Sequence, residues 1–183
     1  TCDNGQDVHF IITGGEPMMW QRQIEALIRQ PAFNDIKNIT IETNCTQAWK
    51  DNFDKFMHGL TAGDYTKDPV HATWSTSPKL SISGESWEKA IKADVARQYS
   101  LIPNTHLYFK FVVQDEQDLK EVDAAREAYA RAGVTGDIYL MAVGATQEEQ
   151  AKTASQLADM AMKHGFKYSP RLHVDLFGNK WGT

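Results

Sequence analysis

Cysteine and long apolar stretches are both scarce in this sequence. Only two of the 183 residues are cysteines, Cys2 and Cys45. These two could form one disulfide, but the rest of the sequence is typical of a cytosolic protein, in which disulfides are rare, so we expect two free thiols. No apolar run approaches the ~20 residues that span a bilayer, and no secretory signal pattern is visible. We therefore predict a cytoplasmic protein with no membrane partner.

Positive charge is not concentrated anywhere along the chain. The sequence has 19 lysines and arginines against 24 acids, a net charge of −5, and the two signs are mixed. Because proteins that bind nucleic-acid phosphates carry a basic patch or stripe, we expect no nucleic-acid partner. The glycine-rich phosphate-binding motifs of α/β proteins are also missing from the sequence, which argues against a plain nucleotide binder.

Short apolar runs alternate with segments of helical periodicity, which is typical of an α/β fold. The starts of the predicted strands lie roughly 30 to 35 residues apart, the spacing of β–α units that build a parallel sheet. The predicted strands are Val8–Thr13, Lys37–Thr43, Val70–Thr76, His106–Gln114, Asp137–Val143 and Arg171–Phe177.

Apolar residues at helical spacing predict helices between these strands. Such stripes lie within residues 20–28, 87–99, 119–129 and 157–164. Gly165 is a candidate C-cap of the last helix, and a shorter helix is predicted over Thr46–His58, ending at Gly59. Since no linker or low-complexity tract interrupts the pattern, we expect one domain over residues 1–183. Periodicity alone leaves open whether the sheet is part of a barrel or an open doubly wound sheet.

Two of the predicted strands are apolar on one face and partly polar on the other. Side chains alternate across a strand, so Lys110 lies opposite the face that carries Phe109 and Phe111. Thr40 and Glu42 share a polar face in the same way. This pattern favours a barrel with a ligand in its mouth. The alternative for Lys110 is that its ammonium reaches solvent from a strand end.

Polar residues gather after four of the predicted strands. They are Gly14-Gly15-Glu16-Pro17, Glu42-Thr43-Asn44, Ser77-Pro78-Lys79, and the group Arg171, His173 and Asp175 on the sixth strand. Taken singly, each group is explained by turn and helix-capping chemistry. Taken together they predict a ligand site, because ligands of α/β proteins bind at the carboxyl ends of the strands.

These motifs carry a resemblance to a known family. Gly14-Gly15-Glu16-Pro17 after a strand resembles the GGEP motif of radical S-adenosylmethionine (SAM) enzymes. The segments Ile41-Glu42-Thr43-Asn44 and Ser77-Pro78-Lys79 and the tail from Arg171 to Thr183 are similar, in order and spacing, to the 7-carboxy-7-deazaguanine synthase family. The resemblance implies an α/β fold of parallel strands, a partial (β/α)6 TIM-like barrel of the radical SAM type.

The resemblance also implies roles for individual residues, although it assigns no catalytic residue. The SAM-binding residues it implies are Gly14, Gly15, Glu16, Ser77, Lys79 and Lys110. The substrate-binding residues it implies are Glu42, Thr43, His173 and Thr183, the last through its terminal carboxylate. These roles agree with elementary chemistry, because carboxylates bind ammonium or guanidine-like edges and lysines bind carboxylates.

The family reaction follows from the same resemblance. It converts 6-carboxy-5,6,7,8-tetrahydropterin into 7-carboxy-7-deazaguanine, on the route to queuosine and related 7-deazapurines. The implied cofactors are SAM, a [4Fe–4S] cluster and Mg²⁺. The implied partners are the pterin, a reductase such as flavodoxin or ferredoxin, and a second copy in a homodimer.

The sequence departs from the family pattern in its metal ligands. The family holds its cluster with three closely spaced cysteines and its Mg²⁺ with a threonine, and both motifs would precede Thr1. We therefore expect a chain truncated at its N-terminus, with no metal ligands of its own. Cys45 stands where the family often has glycine. The alternatives are another radical SAM activase or maturase, and a non-catalytic remnant that binds SAM or pterin without a cluster.

Reconstitution of the 183-residue chain with iron and sulfide tests this expectation. Because Cys2 and Cys45 are far apart in sequence and a cluster needs several thiolate ligands, we expect no stable cluster. Visible absorbance would show the outcome. A stoichiometric cluster would contradict the prediction.

Overall fold

Six parallel strands form one sheet in the computed structural model, which describes residues 7–178. Their order in the sheet is their order in the chain, and each neighbouring pair is parallel. The strands are β1 His9–Ile12, β2 Asn38–Thr43, β3 His71–Thr76, β4 Thr105–Val113, β5 Ile138–Ala142 and β6 Lys167–Tyr168. Over the described residues β1 and β6 do not pair, so the sheet is open. The prediction of an α/β, partial TIM-like barrel with parallel strands is confirmed.

Among the described residues, six helices lie between successive strands and a seventh follows the last strand. They are α1 Gln21–Ile28, α2 Phe53–Ala62, α3 Trp87–Ala90, α4 Ala93–Ser100, α5 Glu116–Arg131, α6 Gln147–His164 and α7 Leu172–Phe177. Short 3-10 turns cover Pro17–Trp20, Pro31–Phe33 and Ser81–Ser83. No helix within residues 7–178 is both long enough and apolar enough to cross a membrane.

One face of the sheet forms the hydrophobic core with the helices. Along β4 the residues Phe109 and Phe111 are buried, and Trp74 of β3 lies on the same side. Trp74 stacks on Tyr99 of α4 with ring centroids 4.4 Å apart, and Phe109 stacks on Tyr129 of α5 at 4.2 Å. Large aromatic side chains of this kind contribute several kcal/mol each when fully buried, about 3–5 by truncation to alanine.

The opposite face of the sheet is polar and only partly covered. Alternate residues of β4, including Tyr108 and Lys110, are half-buried rather than buried. Lys110 faces this side and pairs with Glu42, so it does not merely reach solvent from a strand end. The stacked rings place α4 and α5 on the apolar side of the sheet.

The predicted sixth strand, Arg171–Phe177, is wrong. This segment forms α7, and the sixth strand is the two-residue Lys167–Tyr168 that precedes it. The apolar residues Leu172, Val174 and Leu176 alternate as in a strand, but positions 172 and 176 also satisfy the helical i, i+4 spacing. Only Val174 of this helix is buried. Three apolar residues are too few to distinguish the two-residue period of a strand from the 3.6-residue period of a helix.

Two predicted helices also have different bounds. The segment Thr46–His58 does not form a helix throughout: α2 begins at Phe53 and ends at Ala62, with Gly63 rather than Gly59 as its left-handed cap. The stripe over residues 87–99 is divided into α3 and α4, because Ile91 is extended. Gly165 caps α6 at φ 72°, as predicted.

The start of α6 provides a test of fold stability. The Thr146 side chain accepts a hydrogen bond from the Glu149 amide, and the Glu149 carboxylate accepts one from the Thr146 amide. We expect Thr146→Ala to lower the free energy of unfolding by about 1 kcal/mol, because it leaves helix amides unpaired. Urea denaturation measures the change. Ser155→Ala, at an exposed position within the same helix, is the matched control, and equal effects of the two variants would contradict the assignment.

Candidate functional site

Glu16 joins the carboxyl ends of the first two strands. Its Oε1 accepts hydrogen bonds from the Met18 amide (3.0 Å) and the Thr43 hydroxyl (2.6 Å), and its Oε2 accepts one from the Asn44 amide (2.7 Å). A carboxylate has about four acceptor positions, so these three contacts leave about one. Glu16 therefore fixes the turn after β1 against the end of β2 and retains limited capacity for a ligand.

The two glycines before Glu16 form an open backbone turn. Gly14 and Gly15 have φ values of 91° and 53°, which side chains rarely tolerate. No atom lies within 4 Å of the position where a side chain would begin at either residue. A ligand can therefore approach the backbone closely here.

An ion pair crosses the polar face of the sheet. The Lys110 ammonium lies 3.1 Å from Glu42 Oε1, and the Thr13 hydroxyl donates to Glu42 Oε2 at 3.0 Å. In the register Glu42 pairs with Ser75 and Ser75 with Tyr108, so Lys110 lies one pleat further along β4 and the ion pair passes over β3. The Ser75 hydroxyl is buried and has no hydrogen-bond partner within the described part of the chain.

Glu42 has a perturbed pKa. Partial burial is the largest single effect and acts to raise the pKa of this carboxyl, but the charge and hydrogen bond of Lys110, the Thr13 hydrogen bond and the charge of His173 together outweigh it. The net pKa of Glu42 lies below its ordinary value. The carboxyl is therefore ionised at neutral pH and accepts hydrogen bonds rather than donating them.

A small cavity lies beside the ion pair. Its volume is about 210 Å³, and six of its nine lining residues belong to the loop after β3, among them Ser77, Lys79 and Leu80. Lys110 also lines the cavity, and no acid does. With two lysines and no acid, the cavity is suited to an anionic group. It is smaller than the ~300 Å³ at which whole-ligand pockets begin, so it fits part of a ligand.

The loop after β3 is tied to the sheet and to α5. The Ser77 amide donates to the Thr43 carbonyl at 2.7 Å. At the far end of the loop, the amide and hydroxyl of Ser81 both donate to the Glu121 carboxylate, at 2.7 to 3.0 Å. These contacts hold the cavity wall in place.

The residues predicted on the sixth strand lie on α7 and just before it. Because β6 is parallel to its neighbour, α7 still begins from the carboxyl edge of the sheet. His173 is exposed, and its charge contributes to lowering the Glu42 pKa. Arg171 donates to the Gly144 carbonyl at 2.9 Å. Thr183, the remaining predicted residue, lies outside the described residues.

Contacts join five of the predicted residues in two groups, while Lys79 shares only the cavity lining with Ser77 and Lys110, and His173 has no hydrogen bond or ion pair to these residues in the described part of the chain. Hydrogen bonds and the ion pair link Glu16 to Thr43, Thr43 to Ser77, and Glu42 to Lys110. The residues that sequence reasoning missed are Thr13, Ser75 and Glu121. A hydroxyl directly before the glycine pair could have indicated Thr13, but no local pattern indicates Glu121, which is 40 positions from Ser81.

The described residues do not fit an iron–sulfur cluster or a Mg²⁺ ion. Within residues 7–178 no three histidine, cysteine, aspartate or glutamate side chains are grouped as metal ligands. Cys45 is fully buried, and burial raises the pKa of its thiol, so it is not a thiolate ligand. Cys45 also has a left-handed backbone, with φ 62°. Cys2 lies outside the described residues.

Comparison with characterised proteins identifies the family. The chain is 30% identical over 176 residues to the 7-carboxy-7-deazaguanine synthase of Pyrobaculum aerophilum, a match that covers 95% of the chain and 67% of that relative. The chain belongs to the 7-carboxy-7-deazaguanine synthase family. Synthases of the same name from Halobacterium salinarum and Rhodopirellula baltica are 30% and 28% identical, over 93% and 96% of the chain.

The match to these synthases is partial along their length. The chain spans 67%, 65% and 63% of the three relatives in turn. No family model and no solved structure matches the chain. Membership of the 7-carboxy-7-deazaguanine synthase family therefore rests on these whole-chain sequence matches.

The Glu42–Lys110 pair predicts a measurable titration. Because the folded pKa of Glu42 lies below the unfolded value of about 4.3, the pair stabilises the fold above that pH, and this contribution is lost as the pH falls through the folded pKa. In Lys110→Met, burial is no longer outweighed, so we expect the Glu42 pKa to rise. Carbon-13 NMR of the carboxyl group measures it. Lys120→Met, an exposed position, is the control, and an unchanged pKa in Lys110→Met would contradict the assignment.

Proposed function

We propose that this chain forms the part of a 7-carboxy-7-deazaguanine synthase that binds SAM and a carboxylated pterin. The observation that carries the proposal is the ionised Glu42, paired with Lys110 beside a cavity lined by two lysines. The sequence matches to named synthases support the same function.

The SAM-binding part of the proposal uses the turn after β1 and the cavity. SAM carries an ammonium and a carboxylate on its methionine portion. The protein must therefore offer a negative group to the ammonium and a positive group to the carboxylate. Glu16 retains about one acceptor position for the ammonium, and the open turn gives access to backbone groups. The lysines suit the carboxylate. The proposed SAM-binding residues are Gly14, Gly15, Glu16, Ser77, Lys79 and Lys110.

The substrate-binding part of the proposal uses the end of β2. A pterin presents a guanidine-like edge of N–H donors, and an ionised carboxylate such as Glu42 accepts a pair of such donors. Thr43, adjacent in the chain, and His173, which influences Glu42 electrostatically, complete this group among the described residues. Thr183 is proposed as a further substrate residue through its terminal carboxylate.

The proposed reaction contracts the ring of 6-carboxy-5,6,7,8-tetrahydropterin and releases ammonia to give 7-carboxy-7-deazaguanine. In a complete enzyme of this type, a bound [4Fe–4S] cluster would supply the electron for radical chemistry with SAM, and Mg²⁺ would be a further cofactor. Residues 7–178 hold no ligand set for either metal group, so their proposed part is to bind and orient the organic molecules. A flavodoxin or ferredoxin reductase, a homodimer and a cytoplasmic location belong to the same proposal.

One alternative function requires no metal-ligand set, and residues 7–178 group none. A chain that binds SAM and pterin without turning substrate over would need the same Glu42, Lys79 and Lys110 but no metal ligands. Ligand binding and catalytic turnover can therefore be measured separately for this chain. The residues described above are proposed to act in ligand binding.

Binding of 6-carboxypterin tests the proposal. We expect Glu42→Gln to weaken binding about tenfold, because the amide neither carries charge nor accepts two N–H donors, and tenfold corresponds to about 1.4 kcal/mol. Isothermal titration calorimetry gives the Kd. Glu88→Gln, at an exposed position on α3, should bind like the unaltered chain. A chain that binds no pterin, or a Glu42→Gln variant that binds equally well, would refute the assignment.

A further inference from the structure

Lys110 contacts two parts of the site at once. Its ammonium lies 3.1 Å from Glu42 Oε1, and its side chain lines the cavity that also contains Ser77 and Lys79. The proposed function assigns Glu42 to the substrate and the cavity to SAM. One flexible, partly buried cation, with 20% of its side chain exposed, therefore stands between the two ligand positions.

Without ligands, both oxygens of Glu42 are engaged. Oε1 pairs with Lys110 and Oε2 accepts the Thr13 hydroxyl. A guanidine-like edge that approaches Glu42 must compete with the Lys110 ammonium, since both are donors to the same carboxylate. An anion in the cavity competes for Lys110 from the other side, because a lysine is a single positive charge on a flexible stem.

We infer that Lys110 is a positioning residue that couples the two ligands: a carboxylate bound in the cavity draws its ammonium away from Glu42 and so frees Glu42 to bind the pterin edge. This inference rests on the proposed function and deepens it. The cavity is consistent with this role, because its lining holds a second lysine and no acid.

The coupling is reciprocal. If SAM tightens pterin binding by some factor, pterin must tighten SAM binding by the same factor. Couplings of this kind typically amount to ~5- to 150-fold in affinity. We expect the lower part of that range, ~5- to 20-fold, because Glu42 is 42% exposed and water screens the pair.

Calorimetry with two ligands tests the inference. The Kd of 6-carboxypterin is measured for the unaltered chain with and without saturating SAM, and then for Lys110→Met. We expect SAM to tighten pterin binding in the unaltered chain. In Lys110→Met, pterin should bind more tightly than before in the absence of SAM, and SAM should add nothing, because Glu42 is already free. A merely structural role would weaken both ligands instead.

Two further variants keep the test decisive. Lys120→Met, on the exposed side of α5, should retain the full coupling. Glu42→Gln removes the ion pair from its other end, so SAM should no longer change whatever pterin affinity remains. This second variant answers the question if Lys110→Met fails to fold, which circular dichroism reveals.

The outcomes separate the inference from the proposed function. If the unaltered chain binds neither SAM nor 6-carboxypterin, both are overturned. If it binds both but SAM leaves the pterin Kd unchanged or weakens binding, the proposed function stands and the coupling is wrong. Coupling that persists in Lys110→Met or in Glu42→Gln overturns the role of the ion pair.

Discussion

Parallel pairing of all six strands is the constraint on which the site depends. In a parallel sheet every strand ends at the same edge, so residues separated by long stretches of chain are brought to one rim. Glu16 follows β1, Glu42 ends β2, Ser77 follows β3 and Lys110 lies in the second half of β4. The apolar face of the same strands is covered by helices, which leaves the polar face available. Position along the strand and side of the sheet together determine which residues meet.

The resulting site is held together by short polar contacts. Glu16 uses three of its acceptor positions within the chain, and Glu42 uses both of its oxygens. Such contacts preorganise the carboxylates and keep Glu42 charged. Some of these hydrogen bonds and the ion pair must break when ligands bind. The carboxylate oxygens that stabilise the free site are therefore the same atoms that would bind the ligands.

Sequence patterns predicted most of this arrangement, and the failures have local causes. Five strands were placed within about one residue at each end, because buried parallel strands are dense in apolar residues and end in distinctive turns. Lys110 and Glu42 were placed on the polar face by alternation alone. The sixth strand was misplaced because three alternating apolar residues fit a strand and one helical turn equally well. The contact between Glu121 and Ser81 joins distant segments, so no local pattern carries it.

Cys45 combines an unfavourable backbone conformation with a side chain that is buried in the core. A residue other than glycine in the left-handed region costs roughly 1–2 kcal/mol, yet Cys45 is fully buried and packs in the core. Glycine would relax the peptide and leave a void, whereas a larger residue would keep the unfavourable torsion and overfill the space. Both kinds of replacement therefore carry a cost at this position, although its sulfur has no assigned chemistry.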